Sequence, residues 1–248
     1  MTEPKIAVIT PYYKEPLDVL EECHASVRSQ GDHVTHFMIA DGHAKPEIDD
    51  WQACHIKLPL SHGDFGNTPR GVGSTLAQSE GYDFITYLDA DNWYHDGHIA
   101  SLLDHIRETK AHVVSSFRTF HDLSGKEIPV RERAEERLKH IDTNCFFISK
   151  EVFPVTCVWA LMPKVLGTVC DRVFLAALKH QRFTISSTRQ RTVGYRTPYA
   201  YHYQQAGLPV PADAKMGSDL NPAIDYLKSN KGIAETVRLL GFWPLHYF

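Results

Sequence analysis

No stretch of this sequence approaches the ~20 consecutive apolar residues that a bilayer-spanning helix needs. Its opening, MTEPKIAVITPYY, lacks the basic stretch and long apolar segment of a secretory leader. Cysteine is sparse: Cys23, Cys54, Cys145, Cys157 and Cys170 are odd in number, scattered, and never spaced CxxC. That pattern excludes a disulfide framework and a zinc-finger motif, and it suits a reducing compartment. Basic residues are not in excess, 26 against 30 acidic for a net charge of −4, so no nucleic-acid partner is expected. A GxxxxGK[ST] phosphate loop is also missing, and Gly71 and Gly73 do not fit a dinucleotide fingerprint. The expected location is the cytoplasm. The aromatic tail GFWPLHYF leaves two readings open, contact with the inner face of a membrane or packing back on the protein.

What the chain has is enough apolar content, 43% of 248 residues, to bury a substantial core. Its first ~115 residues alternate short apolar strands with amphipathic helical patterns, the rhythm of βαβ units. Strands are expected at 5–10, 35–41, 54–60, 82–89 and 111–117, and helices at 16–30, 69–80 and 98–109. The rhythm then breaks. A hairpin is expected around Ser124–Gly125, strands at 144–149 and 182–187, and a helix at 169–180. RERAEERLKH (131–140) reads as a solvated helix face. Residues 189–219 read as a long loop, with Arg189, Arg191 and Arg196 either closing over a ligand or lying on the surface. Two helices follow, near 221–229 and 232–240. The fold class is therefore α/β: one Rossmann-like domain, 1–248, whose central mixed sheet is flanked by helices.

Ligands of open α/β sheets bind outside the carboxyl ends of the strands, and three such ends carry polar groups. TPYYKEP (10–16) offers Thr10 and Tyr12, a hydroxyl and a flat ring suited to a planar base, or simply a loop set by two prolines. Asp41 ends the second strand in IADGH, where Asp-Gly is also ordinary turn chemistry. FITYLDADNWY (84–94) stops an apolar strand at Asp89 and Asp91. In an extended segment these carboxylates face the same way, and a hard divalent cation prefers such oxygens together with substrate phosphates. The plain alternative is a polar turn ending a buried strand. Arg70 stands near the start of a helix, Asp171 at the start of another where the helix dipole favours a carboxylate, and His202 is one of fifteen histidines.

Taken in order, IAVITPYYKEPLDVLEECHASVRSQ, FMIADG, TPRGVGSTLA, FITYLDADNWY and GTVCDRVFLAALKH resemble the family-2 glycosyltransferases, inverting nucleotide-sugar enzymes with the GT-A fold. The resemblance runs from about Lys5 to about His202. It implies that Thr10, Tyr12 and Asp41 hold the nucleobase, usually uracil, and that Arg70 lies beside base and phosphates. Asp89 would bond the ribose, Asp91 would ligate the Mn²⁺ or Mg²⁺ that bridges the diphosphate, and His202 would complete the metal site. Asp171 falls where the family keeps its catalytic base. Residues 1–117 would then be the nucleotide-binding half, 118–206 the acceptor and catalytic half, and 207–248 a helical tail. Asp142 and Asn144, in HIDTNCFF, are placed near the sugar.

The chain departs from the family pattern in three places. Cys170–Asp171 replaces a pair of acids, Tyr12–Tyr13 replaces Tyr-Asn, and the QxxRW signature of processive synthases is missing. A single addition is therefore expected, to a glycan, lipid-linked, peptide or small-molecule acceptor. Three other readings compete. A nucleotidyltransferase would need a glycine-rich basic loop after the first strand, and a non-catalytic nucleotide-sugar-binding module would lack the base or the DxD. A nucleotide-sugar hydrolase would differ only in its products.

Overall fold

The computed structural model describes residues 3–131 and 137–248. The chain opens with β1 (Ile6–Tyr12), β2 (Val34–Asp41), β3 (Ala53–Leu58) and β4 (Phe84–Tyr87). β1 pairs in parallel with both β2 and β4, and β2 with β3. Ile6 to Ile9 and Phe37 to Ala40 are fully buried. Burial on both faces is why these strands read as continuous apolar runs rather than alternating ones.

β5 (Trp93–Tyr94), β6 (Val113–His121), β7 (Glu127–Ile128), β8 (Phe146–Ser149) and β9 (Ile185–Arg196) complete one sheet in the order β3-β2-β1-β4-β8-β6-β9-β5, with β7 on β6. β8 runs antiparallel between β4 and β6, so the sheet is mixed, as expected. The boundary expected at 117/118 falls inside β6. β6 and β7 form the expected hairpin, turned by Gly125 at φ 87°.

Helices flank the sheet. α1 (Leu17–Arg28) buries Leu20, Cys23 and Val27, a stripe at helical spacing. α2 (Asn67–Ser79) packs on the other face, against β1 and β2. α3 (His98–Thr109) buries Ile99, Leu102 and Ile106 in the same way. α4 (Val158–Leu161) and two 3₁₀ segments, Lys150–Cys157 and Lys164–Val169, lead into α5 (Cys170–His180). α6 (Ala200–Gln205), α7 (Asn221–Lys228) and α8 (Asn230–Leu240) follow. Among the described residues no helix is long and apolar enough to cross a membrane.

The paired glycines of α2 have a packing role. A Cβ on Gly71 would lie 2.6 Å from the Ala160 Cβ and 2.9 Å from its backbone nitrogen, and one on Gly73 would lie 2.5 Å from Ile39. Helix and core meet too closely for side chains there. Gly71→Val is expected to lower stability by about 1–3 kcal/mol through overpacking. Urea denaturation would show it, and an unchanged midpoint would mean that α4 yields freely.

Two expectations need correction. Residues 189–219 are not one long loop, because β9 continues to Arg196 along β6 past a bulge between Ser115 and Arg118, and α6 follows. Arg191 and Arg196 consequently sit on a strand: Arg191 Nη1 donates to the Arg118 carbonyl at 2.6 Å, and Arg196 pairs with Glu22 at 2.5 Å. Half of the helix expected at 131–140, residues 132–136, lies outside the described residues, and 137–139 are turn and bend rather than helix. The aromatic tail packs back on the protein. Trp243 Nε1 donates to the Leu227 carbonyl at 2.8 Å, and the Phe242 ring stacks on His180.

Candidate active site

The carboxyl ends of β1, β2 and β4 open into a cavity of about 450 Å³ whose lining includes Tyr13, Glu15, Asp41, Phe65, Arg70 and Asp91. A second cavity, of about 740 Å³, extends from it beside the start of α5 and is lined by His140, Asp142, Asp171, Arg172, Tyr195 and Tyr199, among others. Phe65, Arg70 and Asp89 border both. Of the residues read from the sequence, Tyr12, Asp41 and Asp91 therefore face the first space, and Asp142 and Asp171 the second.

Thr10 lines neither cavity. It is fully buried, and its hydroxyl is hydrogen-bonded to His36 Nε2 at 2.8 Å under α1. Tyr12, two residues on, points to the same face of the strand. Its ring borders the first cavity, but its hydroxyl is bonded to His55 Nε2 at 2.6 Å and to the Lys45 amide at 3.1 Å. The aromatic side chain at this strand end that is open to solvent is Tyr13, 40% exposed and set edge-on to His43.

Asp41 accepts from the His62 amide at 3.0 Å and from His62 Nδ1 at 2.7 Å. The approach depends on Gly42, at φ 79°, where a Cβ would lie 2.4 Å from the Ser61 nitrogen. Further along this loop, Phe65 adopts φ 61°, uncommon for a residue with a bulky side chain, and its ring is 61% exposed between the two cavities.

A continuous polar chain crosses the floor. The Arg70 guanidinium pairs with Asp89, and Asp89 also accepts from Asn144 Nδ2 at 3.0 Å while its amide donates to Asn144 Oδ1 at 2.5 Å. Asn144 Nδ2 reaches Asp142 Oδ1 at 2.6 Å, and Asp142 Oδ2 accepts from Arg118 at 2.5 Å. Arg118 in turn lies over the Phe120 and Tyr195 rings. Burial works against the charge of Arg70, but the Asp89 carboxylate outweighs it and holds the guanidinium protonated. Asp142 and Asn144 thus belong to the same network as Asp89.

Asp91 lies in a turn rather than in the extended backbone expected for the pair. The Asn92 amide donates to the Asp89 carbonyl at 3.0 Å, closing a turn, and both carboxylates still border the first cavity. Asp91 opens to solvent at the cleft floor with protein on most sides. That enclosure, with the Asp89 charge beside it, pushes its carboxyl up to about 7. Arg196 offsets only part of this, because its guanidinium is engaged by Glu22 and the Asp91 carbonyl. A carboxylate held so high and crowded by another is suited to a divalent cation.

Among the described residues no three His, Cys, Asp or Glu side chains are grouped to hold a metal. His202, expected in the metal site, lines neither cavity. It is 1% exposed, its Nδ1 is bonded to the Thr197 hydroxyl at 2.5 Å, and it packs against Phe120 and Tyr201. A cation at Asp91 would take remaining oxygens from the ligand and from water.

Asp171, in the first turn of α5, accepts on both oxygens: from the Arg172 amide at 2.6 Å on Oδ1, and in an ion-pair contact with His140 Nε2 at 2.5 Å on Oδ2. Burial raises its carboxyl, but the hydrogen bond and charge of His140, together with the amide and charge of Arg172, outweigh burial and hold it below the usual carboxylate value. The adjacent Cys170 thiol is pushed up to about 12 by burial and by Asp171, so it stays protonated. His62, Phe65 and His140 were not singled out from the sequence, and Tyr13 stood there only as a departure from the family's Tyr-Asn. Only Phe65 carried a signal there, an aromatic inside a glycine-rich stretch.

No curated protein matches the sequence. Among solved structures, the chain resembles S. aureus TarS 1–349 in complex with UDP, with a TM-score of 0.62 at 13% identity over 95% of this chain and 69% of that one. A second structure of S. aureus TarS 1–349 gives a TM-score of 0.60 at 13% identity, over 94% of this chain and 72% of that one. The longer S. aureus TarS gives 0.58 at 12% identity over 95% of this chain, which spans 43% of TarS. At these identities the likeness establishes the fold. The family model for glycosyl transferase family 2 matches residues 7–169, which run from β1 to the threshold of α5 and carry the acidic strand ends described above; with more than half of the chain matched, the protein belongs to glycosyl transferase family 2 and has its GT-A fold.

Proposed function

We propose that this glycosyltransferase moves a sugar from a UDP-sugar to an acceptor hydroxyl by a single inverting displacement, assisted by Mn²⁺ or Mg²⁺, as one catalytic unit spanning residues 1–248. The observation that carries this reading is the pair of joined cavities. One holds Asp41 and Asp91, the other Asp171, and Arg70 and Asp89 stand between them.

In this reading the base lies in the first cavity beside Tyr12 and Tyr13, with Asp41 accepting its imide hydrogen. Asp89 meets the ribose, and Arg70 keeps Asp89 fixed while adding positive charge beside the phosphates. Asp142 meets the sugar where it crosses toward the second cavity, under the Phe65 ring; Asn144, expected beside it, is fully buried and lines neither cavity, and ties Asp142 to Asp89 instead. A divalent cation at Asp91 would supply Lewis-acid stabilisation of the departing diphosphate. Asp171 takes the acceptor proton as the hydroxyl oxygen attacks the anomeric carbon. The bond to the diphosphate breaks on the opposite face, and the centre inverts. TarS, the protein of similar fold, was crystallised with UDP, which supports trying that nucleotide first.

Calorimetric titration with UDP, with and without Mn²⁺, tests the donor half. Binding that Mn²⁺ strengthens is the expected result. Absence of UDP binding under both conditions, with GDP and TDP the same, overturns the donor assignment.

A further inference from the structure

Asp171 is the proposed base, yet nothing in that assignment uses His140, which borders the same cavity and makes the shortest described contact to the carboxylate. Both carboxylate oxygens are engaged, Oδ1 by the Arg172 amide and Oδ2 by His140 Nε2. One donor would leave the carboxylate free to swing about its Cβ–Cγ bond; two donors from different segments fix its plane. An ionised carboxylate can only accept, so His140 Nε2 carries the hydrogen in this contact. The side chains are 17% and 20% exposed, enough for a substrate to reach the carboxylate from the cavity side and too little for water to replace the imidazole freely.

We propose that His140 is a positioning residue for the transfer reaction: its Nε2–H holds Oδ2 of Asp171, fixing the carboxylate plane and keeping it a proton acceptor for the incoming hydroxyl. This rests on the reading of Asp171 as the base. In the step itself the acceptor O–H bond breaks and an Oδ–H bond forms on Asp171. The acceptor oxygen bonds to the anomeric carbon, and the electron pair of the old glycosidic bond leaves with the diphosphate. His140 keeps its proton throughout. Other charged or titratable groups face the pair: Cys170 and Arg172 on α5, Lys139 beside His140, Arg131 and Asp142 on the second cavity's wall, and Tyr247 of the C-terminal segment. The Cys170 thiol is held protonated, and Arg172 lies too close in sequence to be displaced by loss of the imidazole.

The test compares His140→Ala, which removes the donor, with His140→Gln, which retains an N–H, and with Asp171→Asn. Two readouts are used: ¹³C NMR titration of the Asp171 carboxyl, and UDP release from UDP-glucose and UDP-N-acetylglucosamine in the presence of simple glycosides. His140→Ala is expected to move the Asp171 titration upward and to lower turnover about ten- to a hundredfold at unchanged UDP affinity. His140→Gln is expected to restore most of both. An Asp171 titration unmoved in His140→Ala overturns the proposal even where no sugar turns over, and so does a His140→Gln variant as inactive as His140→Ala, which would mean that the imidazole itself handles the proton. Full turnover in Asp171→Asn would instead overturn the base assignment, a separate failure.

Discussion

Asp171→Asn is expected to lower sugar transfer by ~10²-fold or more, the usual scale of general-base help, while UDP binding stays at the wild-type level. The two halves of this expectation have different physical sources. An acceptor hydroxyl is a poor nucleophile at neutral pH, and an amide cannot take its proton, so the chemical step loses its base. UDP affinity is spared because Asp171 borders only the second cavity, whereas Asp41, Asp91 and most of the nucleotide contacts proposed above line the first. Asparagine can still accept from the Arg172 amide, so the first turn of α5 should hold. Steady-state rates with saturating donor, set beside calorimetry with UDP, provide the check. Loss of both activities together would mean that the substitution disturbed the fold; unchanged turnover would remove Asp171 from the mechanism.

Much of this arrangement was legible because the first half of the chain obeys simple periodicities. Parallel strands buried on both faces leave apolar runs that end at polar residues, so the ends of β1, β2 and β4 could be located from the sequence. Asp41, Asp89 and Asp91 stand at or just beyond those ends. Thr10 shows where the rule was incomplete. A strand end near a cleft still has two faces, and Thr10 falls on the one that α1 and His36 cover. Tyr12, on the same face but at the strand's end, clears α1 enough for its ring to border the cavity, as do Pro11 and Tyr13.

β9 was cut short for another reason. Its second part, Gln190 to Arg196, is rich in arginine and polar residues because it is only partly buried, and a bulge breaks its alternation. The two-residue strand β5 exists only through its pairing with β9. The His140–Asp171 contact joins residues 31 positions apart, and no local pattern marks such a partner. Of the Asp142–Asn144 segment, expected near the sugar, only Asp142 borders a cavity; Asn144 is buried and joins Asp142 to Asp89.

Asp91→Asn should have two effects of opposite kind: Mn²⁺ no longer strengthens UDP binding, and the ligand-free protein melts at a higher temperature at pH 8. The second follows from the raised carboxyl. In the unfolded chain Asp91 ionises near its ordinary value of 3.8; in the fold, enclosure and the Asp89 charge push its carboxyl up to about 7, while solvent at the cleft floor screens part of the penalty. Across that window the unfolded state sheds a proton that the native state keeps, so stability declines as pH rises, and the penalty is complete above about 7. A neutral asparagine escapes it. The gain in melting temperature should therefore be present at pH 8 and vanish near pH 4, and saturating Mn²⁺ should narrow it at pH 8 by neutralising the wild-type carboxylate. Such a penalty in the empty protein would fit the cation proposed at Asp91, whose charge would offset it. If the variant is less stable than wild type at pH 8, Asp91 is instead held by favourable contacts. If Mn²⁺ still tightens UDP binding in the variant, the cation is bound elsewhere.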